Sequence, residues 1–252
     1  MATFLRDLYV QLGTLSTRDQ TEVSRDLLKQ FEATGSDNLA GHFVNSLREN
    51  YAFNQITQPF IPLTRGKKTG RNPVVKVMKL MPWMSFSLPS TAEYEFKFLQ
   101  REIPHLRALT KREQKNKAWI DYVARTSSRP ILGEIKWRDD KNPFYAFIQL
   151  LTYLSEMATP NQIQRAVKHK LFEDDIEVIS PFDLHILLVN FNDRGEKGPL
   201  IDLTQRLARA FSNRVIELNP DVAKCVGSIL CISGHIEGES QFFSSLTCRW
   251  AV

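Results

Sequence analysis

Glu134 and Lys136 stand two positions apart in Pro130-Ile-Leu-Gly-Glu-Ile-Lys-Trp137, a stretch otherwise apolar enough for a buried strand. Side chains alternate between the faces of a strand, so the acid and the base project to one side, with Ile135 and Trp137 on the other. Unpaired charge inside a sheet core is costly, so such residues are paired, metal-bound or exposed. An acid-x-lysine triplet means little alone, and this chain holds four: Glu95-Phe-Lys97, Glu113-Gln-Lys115, Glu134-Ile-Lys136 and Asp139-Asp-Lys141. Only the third lies in an apolar strand with a second carboxylate suitably upstream, Asp121 in Ala118-Trp-Ile-Asp-Tyr-Val-Ala124. A hairpin through Ser127-Ser128 would set Asp121 and Glu134 on adjacent strands. Phosphodiester hydrolysis uses these residue types together. Mg²⁺ (or Mn²⁺) takes hard oxygen ligands, which two carboxylates and the backbone carbonyl of Ile135 supply while leaving positions for water and phosphate. The metal acidifies the attacking water, and a neighbouring lysine orients it and stabilises developing negative charge.

The next helix adds a second signal. Asn142-Pro143 is a cap followed by proline at the first helical position, opening a helix to about Met157. Phe144, Phe147, Ile148, Leu151 and Leu154 form its core stripe. Tyr145, Gln149 and Tyr153, at i, i+4 and i+8, form an adjoining polar-aromatic stripe.

Asp121, then Glu134-x-Lys136 on a strand, then Gln149-x-x-x-Tyr153 on the following helix resembles the PD-(D/E)XK nuclease superfamily, nearest its RecB-like branch. The resemblance covers about residues 90–192. It implies a restriction-endonuclease-like α/β core, a central mixed sheet flanked by helices. It also implies that Asp121 and Glu134 bind the metal, that Lys136 assists the water, and that Gln149 and Tyr153 organise metal and substrate. The family's first helix carries a further acid facing the metal. On a helix over Ser90–Ile103, Glu95 lies at the margin of the buried face set by Phe96, Leu99 and Ile103, and Glu93 lies away from it. Glu95 is therefore the expected third acid, with Glu49 the alternative if the first helix comes earlier. Two departures stand out: Ile120 replaces the proline before Asp121, and only Leu106–Leu109 offers the strand expected between first helix and Asp strand.

These residues need elements to hold them. Residues 3–53 read as helical, Phe4, Leu5, Leu8, Tyr9 and Leu12 sharing one face and Val23, Leu27, Leu28 and Phe31 another. The expected organisation is a helical N-terminal extension over 1–58 and the nuclease-like domain over 59–252. Val74–Met78 reads as a strand, and Ser90-Thr-Ala-Glu93 as a capping box opening a helix that Pro104 stops. Strands follow at Trp119–Arg125 and Pro130–Trp137, then the Asn142 helix and another from Thr159-Pro160. A strand at Phe182–Phe191, a turn at Asp193-Arg-Gly195, a helix at Ile201–Phe211 and strands near Gly227–Ile232 and Phe242–Trp250 complete the order.

Composition narrows the partners. With 42% hydrophobic and 24% charged residues in 252, the chain has the balance of an ordinary globular protein. No apolar run is long enough to span a bilayer, so no membrane partner is expected. Charges in Met1–Asp7 occupy the place of a signal peptide's apolar stretch, which predicts a cytoplasmic protein. Cys225, Cys231 and Cys248 form no CxxC pair and read as buried free thiols. Ser244, Ser245, His235, His185 and Asp183 lack a nucleophile-elbow motif, which argues against a serine hydrolase. Net charge is +5, and one basic loop stands out: Arg65, Lys67, Lys68 and Arg71, punctuated by glycine, read as a phosphate-tracking nucleic-acid contact. The expected function is a divalent-metal-dependent nuclease acting on DNA; a homodimer or larger assembly stays open. The alternative is a non-catalytic nucleic-acid-binding or assembly subunit that keeps the nuclease fold. Against it, clustered carboxylates repel polyanionic phosphate unless a metal lies between them.

Overall fold

Alternating and helical patterns sort the chain into fifteen elements among the residues described by a computed structural model: 4–57, 73–104, 119–137, 142–172, 181–191, 198–218, 220–237 and 242–252. Four helices come first: α1 Phe4–Thr14, α2 Thr17–Thr34, α3 Ser36–Thr57 and α4 Pro73–Leu80. Four strands follow: β1 Trp83–Ser87, β2 Glu93–Pro104, β3 Trp119–Arg125 and β4 Pro130–Trp137. Then come α5 Pro143–Met157, α6 Pro160–Lys168, β5 Phe182–Val189, α7 Gly198–Leu218, α8 Pro220–Ala223, β6 Val226–His235 and β7 Ser245–Ala251.

The fold is α/β around one mixed sheet of seven strands lying in sequence order. β1 to β4 form an antiparallel meander, β4, β5 and β6 run parallel, and β7 returns antiparallel to β6. Parallel neighbours need crossovers, and α5–α6 and α7–α8 supply them. One face of the sheet carries a core built from α1, α2, α3, α5 and α7, with Leu5, Leu12, Leu28, Phe43, Phe147 and Phe211 fully buried. The N-terminal helices therefore share a core with the helix that follows the Glu134 strand. The other face curls on itself, bringing β1 and β7 together, and encloses a second core. There Phe86, Phe96, Tyr122, Leu187 and Ile232 meet Val74, Val75, Val77 and Met78 of α4.

Two sequence expectations are overturned here. The segment Ser90–Ile103 is not a helix: Tyr94, Phe96 and Phe98 alternate with Glu93, Glu95 and Lys97, and β2 pairs with β1 and β3. Ser90 and Thr91 form the turn of a hairpin instead, with Thr91 at φ 68° and Leu88 N donating to Ala92 O at 2.8 Å. Conversely, Val74–Met78 is helical. Its buried residues at 74, 75, 77 and 78 follow a helical stripe rather than alternation. β2 is thus a strand preceding the Asp121 strand, and Leu106–Leu109 lies outside the described residues. The Asp193–Gly195 turn lies outside them too. The cysteines are free, but only Cys231 is fully buried; Cys225 and Cys248 are half-buried.

Candidate active site

The β3–β4 hairpin turns at Ser127-Ser128, where Thr126 Oγ1 accepts from Arg129 N at 2.9 Å. Its ladder runs from Arg125–Pro130 to Tyr122–Gly133 and then parts. Gly133 is required at this pairing, because a Cβ there would lie 2.0 Å from the Tyr122 ring that crosses it. Beyond the split, Asp121 takes over the role of backbone: its Oδ2 accepts from Ile135 N at 2.8 Å. A residue's N–H and C=O face the same edge of a strand, so the Ile135 carbonyl also faces the Asp121 side.

Glu134 and Lys136 project from β4 onto the helix-covered face, as alternation requires. α5 lies there, its phase set by Asn142, whose side chain accepts from Tyr145 N at 3.0 Å. Gln149 and Tyr153, one turn apart, consequently meet the two strand residues. Lys136 Nζ donates to Glu134 Oε1 at 3.1 Å and to Gln149 Oε1 at 2.6 Å. Gln149 Nε2 donates to the Tyr153 hydroxyl at 3.0 Å, and that hydroxyl donates to Glu134 Oε2 at 3.0 Å. Four side chains thus close a ring of charge-assisted and neutral hydrogen bonds away from water, Lys136 being 2% and Glu134 4% exposed. Burial, reinforced by the Glu134 charge, raises the Tyr153 pKa well above 10, so its hydroxyl stays a donor.

Two residues that the sequence reading left out of the site border it. Tyr145 presents its ring 4.7 Å from Lys136 Nζ. Tyr9 of α1 stacks on Tyr145, with ring centroids 6.3 Å apart. Burial raises the Tyr9 pKa, and Tyr145, Glu134, Glu156 and Asp121 raise it further, which places the phenol in the field of the acids. Tyr145 was legible as part of the helix stripe; Tyr9 had no local signal, since it shares a face with leucines.

Glu95 does not reach this site. It is exposed on β2 and pairs with Ser85. Lys97, two residues further along β2, pairs with Arg125, at the opposite end of β3 from Asp121. At ~3.3 Å per residue, Glu95 is on the order of 20 Å of strand from Asp121. Glu93 is exposed on the same strand, and Glu49 is half-buried on α3. Among the described residues, no group of three or more His, Cys, Asp or Glu side chains converges as a metal site. Asp121 bonds the residue that follows Glu134 on the neighbouring strand, so these two carboxylates and the Ile135 carbonyl are the oxygen donors a metal would use here. They fit Mg²⁺, which keeps several waters and takes one or two carboxylates. Arg65, Lys67, Lys68 and Arg71 lie outside the described residues.

A second polar cluster sits on the opposite face, in the curled core. Asp183 Oδ2 accepts from the Tyr94 hydroxyl at 2.8 Å, and Oδ1 accepts from Ser228 N at 2.8 Å and Arg129 Nη1 at 3.4 Å. His185 is fully buried, with Nε2 3.0 Å from the Tyr94 hydroxyl and Nδ1 3.2 Å from that of Tyr122. His235 stands exposed at the end of β6. Asp183 and His185 are therefore occupied by tyrosines and backbone rather than by a serine nucleophile.

No protein-family model matches the chain, and no curated protein or solved structure matches it. No helix among the described residues is long and apolar enough to cross a membrane.

Proposed function

We propose that this protein is a divalent-metal-dependent nuclease of the PD-(D/E)XK type, with DNA as substrate. One observation carries the reading: Glu134, Lys136, Gln149 and Tyr153 close one hydrogen-bonded ring, and Asp121 of the neighbouring strand bonds the backbone between Glu134 and Lys136. The run β2, β3, β4, α5, β5 around a mixed sheet supports a restriction-endonuclease-like core. A buried ion pair is poor value as mere stabilisation, since apolar residues of similar volume do as well or better. Chemistry gives it a reason to be there.

In this reading Asp121, Glu134 and the Ile135 carbonyl would hold Mg²⁺ or Mn²⁺, which would supply an acidified water and charge neutralisation at phosphate. Asp121 is oriented for this by its bond from Ile135 N. Lys136, bonded to Glu134 at 3.1 Å, would serve as a point charge for the attacking water and for negative charge developing on the phosphate. Gln149 and Tyr153 fix Lys136 and Glu134, so they act as positioning residues. A second reading is favoured by the near-complete burial of Lys136 and Glu134, which resembles a structural network. In it the chain is a non-catalytic nucleic-acid-binding or assembly subunit. Incubation of purified protein with plasmid and linear DNA, with Mg²⁺, Mn²⁺ or EDTA, separates the two. The nuclease reading expects metal-dependent cleavage that Asp121→Asn reduces at least ~10³-fold, in line with loss of a group essential to metal catalysis. Cleavage absent with both metals selects the second reading, and metal-dependent cleavage undiminished in Asp121→Asn removes Asp121 from the active site.

A further inference from the structure

Lys136 is held by an aromatic face as well as by side-chain oxygens. Glu134 Oε1 and Gln149 Oε1 take two hydrogen bonds, and the Tyr145 ring lies 4.7 Å from Nζ. An ammonium group donates three hydrogen bonds and is also attracted to the face of an aromatic ring. Tyr145 is in turn braced by α1. Tyr9 stacks against it at an interplanar angle of 27°. Its hydroxyl occupies the space over Gly13, where a Cβ would lie 2.8 Å from Tyr145 Oη and 3.8 Å from Cζ. Gly13 sits in the last turn of α1 and is not among the positive-φ residues, so its backbone does not call for glycine. Alanine is the better helix former, so what glycine provides at this position is room.

We propose that Tyr145 is a positioning residue that fixes the Lys136 ammonium through its ring face, and that Tyr9 and Gly13 of α1 set where that ring lies. The N-terminal helix is then part of the lysine's mounting. The effect on turnover rests on the nuclease reading; the geometry of the clamp does not.

Lys136 can be followed directly by NMR of the protein labelled with ¹³C at the lysine ε-carbons, its resonance assigned by its loss in Lys136→Arg. A ring face over the ammonium shifts the ε-methylene protons upfield in the wild type. Tyr145→Leu is expected to abolish that shift, and Gly13→Ala to diminish it by pushing the ring aside. Gly13→Ala combined with Tyr145→Phe is expected to restore it, because the hydroxyl is the one tyrosine atom that alanine crowds. Turnover should follow the same pattern, falling roughly 10- to 100-fold in Gly13→Ala and Tyr145→Leu, with KM within about twofold, and recovering in the double variant. A Lys136 resonance and kcat unchanged by Gly13→Ala, or a double variant as impaired as the single, overturns the clamp. Wild-type protein that cleaves nothing retires the nuclease reading alone, and the resonances then decide the clamp by the same pattern.

Discussion

Removing the charge from one member of the Glu134–Lys136 pair takes from the other, still buried, the opposite charge 3.1 Å away. Lys136→Met should therefore destabilise the protein by about 3–5 kcal/mol, the usual cost of breaking a buried pair. Glu134→Gln combined with Lys136→Met removes both charges while keeping an acceptor for the Tyr153 hydroxyl, and should bring stability back to within about 2 kcal/mol of wild type. Urea denaturation of both variants checks this; a single variant as stable as the double would mean the pair is solvated in solution. At this scale the sequence was informative because strand alternation and helical spacing act locally. Glu134 and Lys136 had to share a face, and Gln149 and Tyr153 had to stack one turn apart. Tyr9 and Gly13 enter the site only through the packing of α1 on α5, more than 130 positions away in the chain, and nothing near either residue announces that contact.

Elements placed by strong caps came out where their residues put them. α5 begins at Pro143 behind Asn142, and the same Asn142 reaches across to α2, its Nδ2 donating to Ser24 Oγ at 2.9 Å. Asn142 is completely buried, so Asn142→Ala removes both a cap and a bridge. The expected cost is about 2–3 kcal/mol, against about 1 kcal/mol for Ser24→Ala, which leaves the cap in place and removes the Asn142 bond together with Ser24's own bond to Gln20 O. Equal costs by chemical denaturation would assign the whole contribution to the bridge. The misread elements were those where two signals competed. In Ser90–Glu93 a capping pattern met the alternating Tyr94, Phe96 and Phe98, and tertiary pairing with β1 and β3 decided for the strand. In Val74–Met78 three valines suggested a strand, yet burial at 74, 75, 77 and 78 against the inner face of the sheet makes a helix. The error at β2 also displaced Glu95, since a helix and a strand carry the same acid to different ends of the sheet.

At the scale of the whole molecule the sheet separates two polar clusters, one on each face. The curl that joins β1 to β7 closes the second one, around His185 and Asp183, inside an apolar core. That curvature depends on contacts between the two chain-distant edges, which no local pattern encodes, so this core was not legible as an enclosure. It has a measurable consequence. Burial lowers the His185 pKa to about 3 from its ordinary 6.5, so the native state holds the ring neutral between the Tyr94 and Tyr122 hydroxyls. The unfolded chain binds that proton near pH 6.5 and the native state does not. His185 therefore contributes stability that is complete above about pH 6.5 and is lost as pH falls toward about 3, at up to ~1.4 kcal/mol per pH unit. Asp183 works in the opposite sense. Burial raises its pKa, so its native form takes up a proton more readily than the unfolded chain and gains stability as pH falls. His185→Gln leaves Asp183 in place, so its comparison with the wild type from pH 6.5 down to about 5 isolates the histidine. His185→Gln keeps a donor and an acceptor for the two tyrosines but has no titration there. The difference in unfolding free energy between wild type and His185→Gln should shrink by about 2 kcal/mol between pH 6.5 and 5. Parallel stability curves over that interval would mean that His185 titrates normally and that the curled core admits water.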